Sequence, residues 1–295
     1  MLNPTTEHEH TDSIQTIVER AQRSMVYNLT ETARRLHPTG QVTTLFLQCG
    51  GAGIFVPDSS DFRLNFAFST CSGLFEHDIR VLENTYVFCD RPVIIFIPIS
   101  APEATFDRLK ARGFSARGGS NNVLFRSLDD IETTQPVQFK TSTVVDDMII
   151  APATSDEFDA FVEYHSRGSN GVPSESLKLT AEITTQIPHT TIFLARLDGR
   201  IIAATSVTAL EVESGEVAAY TGLTSTLAEC RGRGVSSALK RRVHTWAKER
   251  GHRWVFAHVE SDNSNMRVLE KLGYRSLFPH AVYAKASGSG SCSRT

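Results

Sequence analysis

Residues 224–240 have the sequence TSTLAECRGRGVSSALK, and this stretch decides the fold of the second half of the chain. A strand-like run precedes it and an amphipathic helical pattern follows it, with Gly232 and Gly234 at the junction. The start of a helix presents free backbone N–H groups and a partial positive charge, which together suit a phosphate. Glycines let the backbone approach an anion closely, and Arg231 and Arg233 can donate charge-assisted hydrogen bonds. The stretch therefore predicts a strand–turn–helix unit that holds an anion.

The serines Ser236 and Ser237 add hydroxyl donors at the predicted start of this helix. The pattern lacks the six-residue spacing and the Gly-Lys-Ser/Thr ending of a Walker A loop, and it lacks the third glycine of a dinucleotide fingerprint. A solvated basic turn is the alternative interpretation of the string by itself. The flanking elements favour the anion site.

The elements around the motif predict a mixed α/β domain. Downstream, helices over 234–250 and 263–272 end at Gly251 and Gly273, and strands cover 253–259 and 281–285. Upstream, Asp198-Gly199 predicts a hairpin between strands 190–197 and 200–210, followed by a strand over 216–226. Ser155 and Ser174 are expected to begin two helices. The resulting order is α-α-β-β-β-α-β-α-β.

The first half is less regular. It predicts helices over 13–36, 75–89 and 105–112, and strands over 42–48, 64–68, 93–97 and 123–126. Two polar stretches lie outside the predicted elements. Residues 127–143 have the composition of a linker between the two halves, and the Gly/Ser-rich residues 286–295 have that of a frayed tail.

The second half resembles the GNAT acyltransferase superfamily, whose Arg/Gln-x-x-Gly-x-Gly/Ala motif binds the pyrophosphate of CoA. Arg231, Gly234 and Ser236 stand at the defining positions, with Ser in place of the last Gly/Ala. The segments DNSN at 262–265 and EKLGY at 270–274 are similar to later segments of that family. The resemblance implies a mostly antiparallel mixed sheet flanked by helices, and acetyl-CoA or CoA as cosubstrate without a metal.

The resemblance also implies where CoA binds. Its pantetheine is expected to pair with the strand end, where a backbone N–H polarises the acyl carbonyl. The expected contacts are Thr224, Ser225, Thr226, Arg231, Gly232, Arg233, Gly234, Val235, Ser236, Ser237, Asp262 and Asn263. Two positions depart from the family. Leu269 stands where a Tyr usually protonates the thiolate, and Asp262 stands where an Asn is usual, with Asn263 beside it.

Several side chains are candidates for the general base that deprotonates an amine acceptor. His258 and Glu260 lie at the end of the strand after the CoA helix, and alternation places them on one face. The preceding strands offer Glu216 and Tyr220, with Glu211 and His189 as further alternatives. A water relay without a single base is also compatible with the sequence.

The first half resembles the same family faintly, because residues 92–128 look like the closing strand–helix–strand of a GNAT fold but lack the motif. We therefore expect two domains in tandem: a degenerate GNAT-like or α/β accessory domain over 1–128, a linker over 129–143, a GNAT acyltransferase domain over 144–287 and a flexible tail over 288–295. The first domain is expected to bind no CoA of its own and to help shape the acceptor cleft.

The composition of the chain limits which binding partners and which cellular location are expected. The net charge of -3 gives no reason to expect nucleic acid or an anionic membrane as partner. The 5 scattered cysteines support neither a disulfide framework nor a zinc site, and no leader pattern is present, so a cytoplasmic location is expected. The predicted function is N-acylation of a small-molecule amine by a monomer or homodimer. A peptide amino terminus or lysine as acceptor, and a catalytically silent CoA-binding scaffold, are the alternatives.

Overall fold

The computed structural model describes residues 4–38, 40–57, 59, 61–87, 92–131, 147–168, 175–212, 217–261 and 264–286. These residues form one sheet of eleven strands with seven helices on its faces. The fold class is therefore α/β with a mixed, mostly antiparallel sheet, as the sequence predicts. None of the described helices combines the length and the apolar character that crossing a membrane requires.

The first half of the chain contributes three helices and five strands. In chain order they are α1 (Pro4–Leu36), β1 (Thr43–Phe46), β2 (Ala52–Phe55), β3 (Asn65–Phe68), α2 (Glu76–Val87), β4 (Val93–Pro98), α3 (Glu103–Ala111) and β5 (Ser115–Ser127). The second half contributes four helices and six strands. These are β6 (Ile149–Pro152), α4 (Phe158–Gly168), α5 (Glu175–Gln186), β7 (Thr190–Leu197), β8 (Arg200–Glu211), β9 (Val217–Thr226), α6 (Val235–Glu249), β10 (Trp254–Glu260), α7 (Ser264–Lys271) and β11 (Arg275–Lys285).

The two halves repeat one topology. In the first half, three antiparallel strands lead through α2 to β4, which runs parallel to β3. In the second half, four antiparallel strands lead through α6 to β10, which runs parallel to β9. Each half then closes with a short helix and a long strand, so the element order of the first half resembles that of the second.

The last strand of each half, β5 or β11, pairs with strands of the other half. The sheet order is β1-β2-β3-β4-β11-β5-β10-β9-β8-β7-β6, so β5 lies between β10 and β11, and β11 lies between β4 and β5. Glu260 pairs with Asn121, and Lys285 pairs with Val93. The halves are therefore joined through backbone hydrogen bonds at the centre of the sheet. The division of the chain into domains at 128 and 144 stays a prediction.

Helix α1 packs across both halves. Its apolar residues Ile14, Ile17, Val18 and Ala21 join the core around Trp254 and Phe256 of β10. Its later residues Val26, Leu29 and Ala33 join the core around β2, β3 and β4. On β10, residues 254 and 256 face α1, whereas 255, 257 and 259 face the layer of α6 and α7. The sheet is thus covered on both sides next to the predicted anion site.

Most predicted elements are present, with specific corrections. The Asp198-Gly199 turn joins β7 and β8, with φ values of 50° and 76°. The cap before α4 is Thr154 rather than Ser155, because a Thr154–Glu157 capping box begins the preceding 3₁₀ turn. Strands β2 and β6, of four residues each, are not among the strands that the sequence predicts. Most of the expected linker and all but the first residue of the expected tail (132–143, 287–295) lie outside the described residues.

Candidate active site

The predicted anion motif folds as a turn that opens α6. A 3₁₀ turn over Ala228–Cys230 leads into it, and Gly234 caps the helix with φ 84° in the left-handed region. Gly232 also has a positive φ, 74°, and both values are ones that residues other than glycine rarely adopt. The guanidinium of Arg231 donates from Nε to the carbonyl oxygen of Thr226 at 3.1 Å. The first N–H groups of α6 have no partner within the helix, so they can bind an anion.

Strands β9 and β10 separate just before this turn. They pair in parallel from Trp254↔Ala218 to Phe256↔Tyr220, and their described pairing ends there. Beyond Tyr220, β9 is bulged against β8, and Leu223 has a positive φ of 40°. An opening between two sheet strands leaves backbone groups of β9 available to an extended ligand.

One cavity of about 1060 Å³ runs from the α6 turn through this opening to helix α1. Its lining includes most of the predicted CoA contacts: Thr224, Ser225, Thr226, Arg231, Gly232, Gly234, Val235, Ser236 and Ser237. Arg233 is exposed and is not part of this lining. The remaining two predicted contacts, Asp262 and Asn263, lie outside the described residues.

Three of the candidate bases, Tyr220, His258 and Glu260, line the same cavity beyond the opening. Burial lowers the pKa of His258 to about 4, so its imidazole is neutral near pH 7. The His258 Nε2 atom lies 2.7 Å from the side-chain nitrogen of Gln22 on α1, and its ring lies 5.6 Å from that of Tyr220. Burial also raises the pKa of Tyr220, which keeps the phenol protonated. Glu216 lies outside the described residues.

The alternatives His189 and Glu211 are exposed and do not line this cavity. Leu269, which the sequence resemblance aligns with the family's usual acid, is fully buried in the core with residues of α6. Within the described ranges, no group of three or more His, Cys, Asp or Glu side chains is placed to hold a metal ion.

The first half supplies one wall of the cavity, and no sequence motif indicates the residues that form it. The apolar part of this wall comes from Met25, Val26 and Leu29 of α1 and from Phe66, Phe68 and Phe96. Its polar part includes Gln22 and Asn121, whose side-chain oxygens are buried without a hydrogen-bond partner in the described structure. These two oxygens face the cavity, where a ligand or water can supply the missing partner.

A lysine that the sequence analysis left unassigned lies at the opening. Lys240 lies on the second turn of α6, and only 1% of its surface is exposed. Its Nζ donates to the hydroxyls of Thr224 and Thr221 at 2.6 and 2.7 Å, and it lies 3.5 Å from that of Thr205. Burial lowers the pKa of Lys240 to about 7. A sequence signal existed, because Lys240 follows the buried Leu239 at the edge of the apolar stripe.

Comparison with known proteins agrees with this geometry. Residues 158–274 match the model of the Acetyltransferase (GNAT) family. This part of the chain is a GNAT acetyltransferase domain. The activity of that family is acyl transfer from acetyl-CoA in general, and the protein is an acyltransferase. No protein of curated function matches the chain in sequence.

Solved structures of GNAT proteins share the fold over most of the chain. A GCN5-related N-acetyltransferase from Kribbella flavida is 14% identical and superposes with a TM-score of 0.61 over 90% of this chain and 96% of its own. A tandem GNAT protein from the clavulanic acid biosynthesis pathway is 15% identical, with a TM-score of 0.57 over 85% and 84%. A GCN5-related N-acetyltransferase from Sphaerobacter thermophilus is 14% identical, with a TM-score of 0.53 over 80% of each chain. Because these matches extend beyond the second half, they support a tandem GNAT fold.

Proposed function

We propose that the protein transfers an acyl group, normally acetyl, from acyl-CoA directly to the amine of a small molecule. The observation that carries the proposal is the single cavity that joins the α6 turn to the buried polar groups next to α1. The volume is near the upper end of the range typical of small-molecule sites, roughly 300–1,000 Å³. Donor and acceptor can therefore meet inside it.

The donor end is proposed to be the α6 turn. The N–H groups of residues 235–237 and the Arg231 side chain would hold the pyrophosphate, since helix start and guanidinium both favour anions. Pantetheine would add to the free edge of Thr224–Thr226, and a backbone N–H of this strand end would polarise the acyl carbonyl. Arg233, Asp262 and Asn263 are kept as predicted contacts.

The acceptor end is proposed to lie between β10 and α1. The partnerless oxygens of Gln22 and Asn121 would accept hydrogen bonds from an amine, which is rich in N–H donors. Neutral His258 is the proposed general base, and the amine would replace the Gln22 amide at its Nε2 atom, because only a free imidazole lone pair can accept the amine proton. Glu260 is the second candidate, on the same face of β10, and Tyr220 the third; Glu216 stays a sequence prediction.

The phenylalanines of the wall favour an acceptor with an apolar body. Phe66 and Phe96 contact edge to face with centroids 5.7 Å apart, and both line the cavity. A small molecule can be surrounded by this wall and by α1. A protein lysine or amino terminus would need a groove open to a chain, so it is the less favoured acceptor. The cytoplasmic location stays a prediction from the sequence.

The experiment is a turnover assay with acetyl-CoA and a panel of small amines, some with apolar or aromatic bodies, that measures free thiol. The expected result is acetylation of apolar amines and little turnover with peptide substrates. Acetyl-CoA binding without turnover on any amine or peptide would instead support the silent scaffold. Absence of acetyl-CoA binding would contradict the proposal as a whole.

A further inference from the structure

Lys240 is a buried ionisable side chain that the proposed function leaves unused. Its helix, α6, begins at the proposed pyrophosphate site, and its ammonium hydrogen-bonds Thr221 and Thr224 on β9. It lines the cavity where β9 and β10 separate. In the described part of the chain no carboxylate forms an ion pair with it. A lysine held this way has a specific use or is costly, because burial disfavours the charged form.

The two faces of the opening carry different chemistry. His258 lies on the α1 side, where it contacts Gln22, whereas Lys240 approaches from the α6 side. Acyl transfer to an amine needs a proton acceptor near the amine and a stabilising group near the departing sulfur. The opening provides one of each, on opposite sides of the sheet.

We propose that Lys240 is the catalytic residue that stabilises and protonates the departing CoA thiolate. The inference rests on the proposed function, because it needs an acyl-CoA thioester at β9. Leu269 on the neighbouring α7 is buried hydrocarbon and offers no donor, whereas Asn265 and Lys271 of the same helix also line the cavity.

The step balances without any further reactant. The amine nitrogen forms a bond to the thioester carbonyl carbon, the carbon–sulfur bond breaks, and its electron pair leaves on sulfur. The thiolate takes a proton from the Lys240 ammonium, while His258 or water accepts the proton that the amine loses. Lys240 then regains a proton from solvent, and the products are the amide and the CoA thiol.

The surroundings of Lys240 support this assignment. On β8 and β9 its partners are the hydroxyls of Thr205, Thr221 and Thr224, which do not titrate. The cavity lining around it includes the titratable groups Arg231, Tyr220 on β9, His258 and Glu260 on β10 and Lys271 on α7, and His244 and Arg241 lie near Lys240 in the sequence of α6. Burial lowers the pKa of Lys240 to about 7, which suits proton transfer near neutral pH.

The first test measures the thiol pKa of CoA bound to the enzyme, from the ultraviolet absorbance of the thiolate, and it needs no acceptor. A neighbouring cation lowers such a pKa by about 1–3 units. The wild-type protein should lower the pKa of bound CoA relative to free CoA, and Lys240→Met should abolish that shift. Lys248→Met is the matched control: Lys248 lies two turns further along α6 and bonds the backbone at Leu128 and Asp129.

The second test uses the acetylation reaction. We expect Lys240→Met to lower kcat by about 10²-fold, the size of a general acid–base contribution, and to leave acetyl-CoA affinity unchanged. The decline of the wild-type rate at high pH, where Lys240 loses its proton, should also disappear. If Lys240→Met does not fold, Lys240→Gln replaces it in both tests.

The outcomes separate the two proposals. If wild-type protein fails to bind CoA, the proposed function is wrong. If CoA binds and the thiol pKa is the same in wild type and the Lys240 variants, the role of Lys240 is wrong while the donor site stands. A high-pH decline that persists in Lys240→Met would also overturn it.

Discussion

Helices α2 and α6 occupy equivalent places in the two halves, since each connects two parallel neighbouring strands, β3 to β4 and β9 to β10. Their first turns differ. Helix α6 begins at Gly234 without an acidic residue, and its start lines the cavity. Helix α2 carries Glu76 and Asp78 in its first turn.

Asp78, in the first turn of α2, binds backbone N–H groups that precede the helix. Its carboxylate is fully buried and accepts hydrogen bonds from the backbone N–H groups of Gln48, Phe75 and Cys49, at 2.6, 3.0 and 3.3 Å. The strands next to it also stay joined, because the N–H of Ser69 donates to the carbonyl of Phe96. The first half thus has a buried carboxylate in the first turn of its helix and strands that stay joined, whereas the second half has no acidic residue there and its strands separate.

The largest expected effect comes from separating the halves. Residues 147–295 expressed alone would lack β5, which pairs with both β10 and β11, and α1, which covers β10. In the fragment β10 would lose one strand partner and β11 would lose both, and unpaired strand edges and an exposed core favour aggregation. We therefore expect no cooperative thermal transition from this fragment, and recovery when residues 1–131 are co-expressed as a second chain. A cooperative transition of the fragment alone would show that the halves are independent.

The protein is expected to lose stability as the pH falls, mainly through buried histidines of the second half. Burial lowers the pKa to about 4 for His165 and His258 and to about 3 for His244 and His280, all in the second half. An unfolded histidine has a pKa of about 6.5, so between about pH 6.5 and pH 4 the unfolded chain binds more protons than the folded one. Stability therefore rises with pH and is lost as pH falls through this window, by about 1.4 kcal/mol per pH unit for each such histidine.

Thermal unfolding between pH 7.5 and pH 5 measures this loss, and the pH dependence should be steeper than one histidine explains. His77, which is exposed on α2, gives the control: His77→Gln should leave the slope unchanged, and His165→Gln should reduce it. A melting temperature independent of pH over this range would contradict the burial of these imidazoles.

At the α6 turn, we expect acetyl-CoA affinity to fall when a negatively charged side chain is introduced. Asn and Asp both tolerate the left-handed conformation of Gly234 better than other side chains and differ mainly in charge. Gly234→Asp should weaken acetyl-CoA binding by roughly 100-fold or more, because like charges in contact cost several kcal/mol, and Gly234→Asn should weaken it much less. Titration calorimetry checks both variants and should find one site per chain in the wild type. Equal affinities for the two variants would mean that no phosphate lies at this turn.

The sequence predicted the local units because their signals are local. The Asp198-Gly199 hairpin and the Gly232–Gly234 turn follow from backbone preferences that glycine and aspartate carry with them. The exchange of β5 and β11 could not be predicted, because alternating apolar residues show that a strand is buried but not which strand it pairs with. Because the pairing of the two halves is not encoded in local patterns, the sequence also does not predict that Gln22 and Asn121 line the cavity. A lysine is expected at the surface because lysines are rarely buried, so the sequence does not predict that Lys240 lies in the cavity wall.

The smallest effect is expected at the equivalent position of the first half. Asp78→Asn keeps the shape of the side chain but removes the charge and one of the two acceptor oxygens, so at least one of the three backbone hydrogen bonds is lost. Hydrogen bonds to a charged group contribute about 1.5–3 kcal/mol, so the free energy of unfolding should fall by an amount of that order. Acetyl-CoA affinity and the stoichiometry of one site per chain should not change, because β3 and β4 still leave no opening for pantetheine. Denaturant unfolding and calorimetry on the same sample test both statements. A second acetyl-CoA site in Asp78→Asn would show that this carboxylate alone keeps the first half from binding, whereas unchanged stability would show that it does not hold the start of α2 closed.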